Sequence, residues 1–314
     1  MISVSGKKWV EQNMKIILTG GLGYIGTTLI NKLTEHQLIV CSKIKKNNLP
    51  NFNHVTFEFV DIKSDDFLEI VKKHKPDLLI HLASITGLKN CEDDPSKTFE
   101  TNVHGTFNVV KACELNKIKL IFFSSREVYG KTLDVESKEN DPLLPTNVYG
   151  ITKMLGELVV KNSGKNNNLD YIILRLTNVY GPRGNEKGLN KIIKNAVKNK
   201  EIEIYGGKQT INFIYIDDVV DLISILIDKN QISQEIFNVG SKNNLSINKF
   251  SKLVEQSLDF NITIKHMPKQ NVENSVFKPN VKKLEELLHF TAKTEINDGL
   301  KKTINWYFKQ KQVE

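Results

Sequence analysis

The sequence predicts an α/β protein: a doubly wound parallel sheet followed by a smaller C-terminal α+β lobe. Three observations carry this. Short apolar runs alternate with helical patterns through the first half of the 314 residues. Those runs are apolar at consecutive positions, as in strands covered on both faces. A glycine-rich turn joins the first run to the first helical pattern.

Taken in order, Lys15–Thr19, Leu38–Cys41, Val55–Val60, Leu78–His81, Leu120–Ser124 and Ile172–Leu176 read as strands. Helical spacing marks Tyr24–Leu33, Asp66–His74, Ser96–Asn116 and Tyr149–Val160 between them. This alternation implies successive βαβ units. Beyond Asn178 the regularity weakens. Helical patterns at Leu189–Asn199, Asp217–Asp228, Ile247–Leu258, Val281–Leu288 and Ile296–Phe308 alternate with runs at Ile202–Tyr205, Phe213–Ile216, Ile236–Val239 and Ile262–His266. The expected division is an N-terminal extension at 1–13 and a nucleotide-binding sheet domain at 14–177, to which 213–234 returns. Residues 178–212 and 235–314 form the second lobe.

Composition excludes other classes. With 39% hydrophobic and 25% charged residues the chain buries a real core and is not disordered. The net charge of +8 rests on 44 basic residues, of which only Arg126, Arg175 and Arg183 are arginines. Lysines spread along the whole chain do not form a nucleic-acid footprint, and no nucleic-acid partner is expected. No apolar run approaches the ~18 residues of a membrane span. Residues 1–13 lack the apolar core of a secretion signal. Cys41, Cys91 and Cys113 are widely spaced, so no metal site or disulfide framework is expected, and the location read is cytoplasmic.

The turn Gly20-Gly21-Leu22-Gly23-Tyr24-Ile25-Gly26 follows one strand and opens one helix. Its glycines admit a tight turn and a closely approaching pyrophosphate, which the helix N-terminus then meets with unpaired N–H groups. The sheet is therefore of the Rossmann type, and the cofactor is a nicotinamide dinucleotide. The second strand ends in Ser42 and Lys43, followed by Lys45 and Lys46, with no ribose-binding acid. That end suits the 2′-phosphate of NADP, or else its lysines are simply solvated. Asp61, closing the third strand, is placed to accept from the adenine amino group.

Tyr149 and Lys153 stand four apart on one helical face. An ammonium beside a phenol lowers the phenol's pKa from ~10, so that phenolate removes a hydroxyl proton while hydride leaves the carbon. Ser125, at a strand end beside the expected crevice, would share a hydrogen bond with the same substrate hydroxyl. His81 is read as bonding backbone and His104 as a packing residue. Cys91 and Cys113 are read as buried small hydrophobes, and Trp306, Tyr307 and Phe308 as packing on the last helix.

From about Lys15 to Tyr307 the chain resembles the extended short-chain dehydrogenase/reductases, in their nucleotide-sugar epimerase/dehydratase branch. The resemblance lies in Thr19–Gly26, His81-Leu82-Ala83, Thr101–Thr106, Ser124–Gly130, Tyr149–Lys153, Asn178–Arg183, Phe213–Asp218 and Phe237–Gly240. It implies Ser125, Tyr149 and Lys153 as the catalytic triad. It implies Gly20, Gly23, Tyr24, Ile25, Gly26, Ser42, Lys43, Asp61, Ile62, Leu82, Ala83, Ser84, Asn102, Tyr149 and Lys153 around the cofactor. The substrate would be a nucleotide-diphosphate sugar, met by Ser125, Arg126, Asn178 and Lys208. A homodimer through the helices Ser96–Asn116 and Tyr149–Val160 is also implied. Three positions depart from the family pattern: Ser42 for the ribose acid, Ile211 for a diphosphate-binding arginine, and Asn280 for a late aspartate.

The reaction read is 4-epimerisation through transient oxidation at C4 with a tightly bound nicotinamide cofactor. Related 4,6-dehydratases carry an acid and a base where this chain has Arg126 and Glu127. Glu127 qualifies as the base, while a guanidinium keeps its proton and cannot be the acid. A dehydratase or decarboxylase, and an NADPH-dependent keto-sugar reductase, remain the alternatives. A non-catalytic cofactor- or RNA-binding member is the alternative of another class, opposed by retention of Ser125, Tyr149 and Lys153.

Overall fold

Ile16 and Leu18 of β1 (Lys15–Thr19) belong to one apolar layer and Ile17 to the opposite one, and all three are fully buried. A strand apolar on both faces is stable only between two layers of helices. The computed structural model, which describes residues 13–45, 49, 52–131, 136–184, 187–229, 231–267 and 276–311, has that arrangement. The expected extension at 1–13 lies outside the described residues apart from Asn13, as does Lys46.

After β1 come α1 (Tyr24–Lys32), β2 (Gln37–Ser42), β3 (Val55–Phe59), α2 (Asp66–His74) and β4 (Leu78–His81). Next are α3 (Leu88–Asp93), α4 (Pro95–Phe99), α5 (Gly105–Asn116), β5 (Lys119–Ser125), β6 (Glu136–Ser137) and α6 (Val148–Asn167). β7 (Tyr171–Leu176), β8 (Asn178–Tyr180), α7 (Gly188–Asn199), β9 (Glu201–Tyr205), β10 (Thr210–Tyr215), α8 (Ile216–Asp228) and β11 (Glu235–Val239) follow. The chain closes with β12 (Asn244–Ser246), α9 (Ile247–Gln256), β13 (Thr263–Met267), β14 (Lys278–Pro279), α10 (Lys282–Leu288) and α11 (Ile296–Lys311).

Seven parallel strands form the main sheet in the order β11–β7–β5–β4–β1–β2–β3. One face is covered by α1, α8 and α10 through Leu29, Leu222 and Leu284. The other is covered by α2, α5 and α6 through Phe67, Val109 and Val160. Strand order reverses at β1, which lies between β2 and β4. A crevice opens there beyond the strand C-termini. A second core, with Tyr180, Ile193, Phe213, Phe250 and Ile304, holds the smaller lobe around the sheets β12–β10–β8 and β13–β9.

Two expectations change here. The division at 213–234 does not follow the sheets: Phe213–Tyr215 pairs with β8 in the small sheet, while β11, expected in the second lobe, is the edge strand of the main sheet. Four-residue runs such as Phe213–Ile216 and Ile236–Val239 look alike in sequence, and only long-range pairing assigns them. The single helix expected over Ser96–Asn116 is interrupted by a π-helical turn at Glu100–His104, where the Gly105 N–H bonds the Glu100 carbonyl. Such turns are common beside functional sites. His104 lies on it and is exposed, so it is not a packing residue. Among the described residues no helix is long and apolar enough to cross a membrane.

Candidate active site

The crevice is a cavity of about 610 Å³. Its floor is the turn after β1. Gly20 has φ +68°, and a Cβ there would stand 2.7 Å from the Ala83 N, so both the backbone conformation and the close approach of the neighbouring strand require glycine. Gly26 packs α1 on the turn, where a Cβ would come within 2.4 Å of Gly21 Cα. No side chain caps α1, so its N-terminal amides face the cavity end of the turn without a competing acceptor.

Gly20, Gly23, Tyr24, Ile25, Gly26, Ser42, Lys43, Asp61, Ile62, Leu82, Ala83, Ser84, Ser125, Tyr149 and Lys153 all line this one cavity. Asn102 does not. It is 2% exposed and its carboxamide is fully engaged: Oδ1 accepts from Ser84 Oγ (3.1 Å) and Ile85 N (2.8 Å), and Nδ2 donates to Ile85 O (3.0 Å) and Thr152 Oγ1 (3.1 Å). The expected cofactor contact is thus replaced by a clamp behind the cavity wall. Its neighbour Thr101 does line the cavity, as does Thr177 just past β7, and both hydroxyls are buried without a hydrogen-bond partner. Reasoning from motifs missed both. Thr177 was findable from its place at the C-terminal end of a central strand.

The glycine cradle and these two orphaned hydroxyls fit a dinucleotide, whose phosphates and polar rings would satisfy them. Asp61 lines the cavity while its Oδ1 accepts from Lys63 N at 3.0 Å. Ser42 is folded into its own turn, its Oγ 3.2 Å from both Ile44 O and Ile44 N. Lys43 and Lys45 are exposed at that end, and Lys43 lines the cavity.

Helix α6 begins where Asn147 caps it, Oδ1 accepting from Gly150 N at 2.8 Å. The cap sets Tyr149 and Lys153 facing the end of β5. Lys153 is 4% exposed and donates to Phe123 O at 2.8 Å, with its Nζ 5.9 Å from the Tyr149 ring centroid. Burial lowers the Lys153 ammonium to about 8. The phenol departs from expectation. Burial, then the Glu127 carboxylate, push Tyr149 well above the usual phenol range, with Ser125 pulling the other way. Desolvating a phenolate outweighs the benefit of an ammonium whose protons point to a carbonyl.

Arg126, Glu127, Asn178 and Lys208 lie outside the cavity lining. Arg126 pairs with Glu127 at 2.7 Å and lies 5.4 Å over the Phe277 ring. Asn178 donates to Asn212 O at 2.9 Å, tying β8 to β10. Lys208 is exposed between β9 and β10, and Ile211 is buried in the small lobe. Asn280 bonds Glu136 at 2.8 Å and so fastens β14 to β6. His81 bonds side chains rather than backbone: Nδ1 stands 2.7 Å from Thr19 Oγ1 and Nε2 3.1 Å from Thr106 Oγ1. Thr106 Oγ1 donates to Asn102 O at 2.6 Å, so His81 Nε2 carries the proton. Cys91 and Cys113 are buried, and Tyr307 packs in the small-lobe core with Trp306 and Phe308 against it.

Residues 16–240 match the model of the NAD dependent epimerase/dehydratase family. A putative UDP-glucose 4-epimerase of Methanocaldococcus jannaschii is 29% identical, over 93% of this chain and 97% of its own. A UDP-N-acetyl-alpha-D-glucosaminuronate decarboxylase of Bacillus cytotoxicus is 30% identical over the same shares. The UDP-glucose 4-epimerase of Thermotoga maritima, solved with UDP-glucose, superposes with a TM-score of 0.88 at 26% identity, covering 96% of this chain and all of that one.

Proposed function

The chain belongs to the NAD-dependent epimerase/dehydratase family, an enzyme family of nucleotide sugars, and within it we propose that this protein is a nucleotide-sugar 4-epimerase. One observation carries the choice: both oxygens of Glu127 are occupied, Oε1 by Arg126 at 2.7 Å and Oε2 by Asn147 Nδ2 at 2.9 Å. A carboxylate held by two donors is a poor base, and its neighbour Arg126 has no proton to give. Elimination across C5 and C6 needs both groups. Epimerisation needs neither.

A nicotinamide cofactor, when bound, would supply the hydride acceptor and donor that the reaction needs. The chain's own residues do the rest. The glycine turn, Asp61 and the hydroxyls of Thr101 and Thr177 would hold the dinucleotide. Tyr149 takes the proton of the sugar 4-hydroxyl and gives it back after the 4-keto sugar turns over. Ser125 bonds the same oxygen. Lys153, held on Phe123 O, provides the positive charge beside the phenol. A phenolate formed where burial opposes it is stabilised chiefly by a cation already fixed beside it. The decarboxylase reading is supported by the relative of that activity and by Arg126, a cation suited to a uronate carboxylate.

The partner read for the apolar outer face of α5 and α6 is a second copy of the chain. Phe107, Leu115 and Leu158 are 51%, 68% and 47% exposed there.

Incubation with a UDP-hexose in D₂O tests the assignment. A C4 epimer without deuterium at C5, formed with no added reductant, is the expected result. A 4-keto-6-deoxy product or deuterium at C5 overturns it. A pentose product with release of carbon dioxide from UDP-glucuronate establishes the decarboxylase instead.

A further inference from the structure

Below the reacting side chains lies a buried ion pair that the proposed chemistry does not use. Glu157 on α6 and Arg175 on β7 are 0% and 2% exposed at their side chains. Glu157 Oε1 accepts from Arg175 Nε (2.9 Å) and from Ser124 Oγ (2.6 Å), and its Oε2 from Arg175 Nη2 (2.7 Å). Arg175 Nη1 continues to Tyr129 OH and Glu139 O, both at 2.8 Å, and Tyr129 OH donates to Asn238 Oδ1 at 2.7 Å. The guanidinium also lies 4.9 Å over the Tyr129 ring.

An ion pair taken wholly out of water seldom adds net stability over apolar side chains of similar size, so its place asks for another explanation. Its geometry gives one. Glu157 stands four residues after Lys153 and eight after Tyr149, on the same face of α6. Ser124, which it grips, directly precedes Ser125. Helix α6 thus meets β5 at three successive points: Lys153 Nζ on Phe123 O, Gly156 against the Phe122 ring, and Glu157 on Ser124 Oγ. At Gly156 a Cβ would stand 2.8 Å from Phe122 Cζ, so the helix packs its backbone directly on the Phe122 ring. The reacting groups come from these two elements.

We infer that Glu157 and Arg175 are positioning residues: they hold the strand bearing Ser125 in fixed register with the helix bearing Tyr149 and Lys153. The inference rests on the reading of Ser125, Tyr149 and Lys153 as the reacting side chains. The groups facing Lys153 are Cys91 from α3, His81 from β4, the Phe123 carbonyl from β5, and Tyr149 and Glu157 from its own helix. The direct hydrogen bond of Lys153 among these is the one to the Phe123 carbonyl, on the strand that Glu157 grips through Ser124.

The test uses the full chain with Glu157→Gln/Arg175→Met, which removes both charges and leaves none unpaired, and with Ser124→Ala. Two readouts are taken: kcat and KM with a UDP-hexose, and the titration of Lys153 by ¹³C NMR of lysine-labelled protein, assigned with Lys153→Arg. The double variant is expected to lose about 10²-fold in kcat with little change in KM, since a misplacement of about 1 Å costs that much. Its Lys153 midpoint should shift from about 8, because a loosened register moves Nζ off Phe123 O. Ser124→Ala should lose about 10-fold in kcat and leave the Lys153 midpoint in place. A folded double variant with wild-type kcat, or with an unmoved Lys153 midpoint, overturns the inference. Should the double variant not fold, wild-type kcat in Ser124→Ala overturns it. If the wild type itself epimerises nothing, the functional reading fails, and the positioning then stands or falls on the NMR midpoint alone.

Discussion

Asn147 caps helix α6 with its carboxamide oxygen and holds the Glu127 carboxylate with its amide, Nδ2 to Oε2 at 2.9 Å. One side chain therefore starts the helix that carries Tyr149 and Lys153 and occupies the only acid next to Ser125 in the chain. Helix initiation and the restraint of Glu127 are a single structural feature.

If Glu127 is restrained in this way, Glu127→Gln should keep most of the epimerisation, within about 5-fold in kcat, because the amide still pairs with Asn147. Steady-state kinetics check it. A loss of about 10³-fold, typical for removal of a general base, would return Glu127 to the chemistry.

Tyr149→Phe keeps the ring and removes the hydroxyl. Turnover should drop by about 10²–10⁴-fold while the UDP-sugar still binds. Calorimetry of the variant with UDP-hexose beside a kinetic assay separates the two; near-normal turnover would remove Tyr149 from the mechanism.

Lys153 and His81 predict opposite pH limits. The Lys153 ammonium loses its proton near about 8, so kcat/KM should decline above that pH. Burial brings His81 down to about 3, against ~6.5 in an unfolded chain. A group whose folded value is depressed contributes fully above the unfolded value and loses that contribution as pH falls through the folded one. Urea midpoints should therefore fall progressively between about pH 6.5 and 3. His81→Gln, which does not titrate, should show a shallower decline, and equal slopes in the two proteins would remove His81 as a cause.

Ser42 is spent on its own turn, and Lys43 beside it lines the cavity. Ser42→Asp should weaken NADP binding by about 1–3 kcal/mol relative to NAD through like-charge repulsion. Competitive binding of the two cofactors checks this. An unchanged ratio would place the 2′ position away from β2.

Phe107→Lys with Leu158→Glu should convert a dimer to a monomer, because charge would replace the exposed apolar centre of the α5–α6 face. Sedimentation velocity reads the mass directly. A wild-type protein that is already monomeric overturns the dimer, and a variant that stays dimeric places the interface elsewhere.

The sequence by itself determined the parallel sheet, the glycine turn and the pairing of Tyr149 with Lys153. Each is a local property: continuous apolar runs, a backbone conformation open to glycine, a four-residue helical spacing. It also placed Ser125 at a strand end. What it left undecided depends on groups far apart in the chain. Whether Phe213–Tyr215 or Glu235–Val239 joins the main sheet is set by pairing with β8 and β7. Asn102 turned inward because a π-helical turn rotated it toward Ile85 and Thr152, a rotation that an unbroken helical pattern over Ser96–Asn116 hides. The ionisation of Tyr149 was misjudged for a similar reason. Helical spacing brings a lysine near a phenol, but only the packed structure determines that the lysine donates to Phe123 O and that the Glu127 carboxylate stands near the phenol. The Glu157–Arg175 pair joins two elements through partners 18 residues apart. Its register is fixed by the packing of α6 on β5 and β7, because desolvation and hydrogen-bond geometry act only once the chain has closed around them.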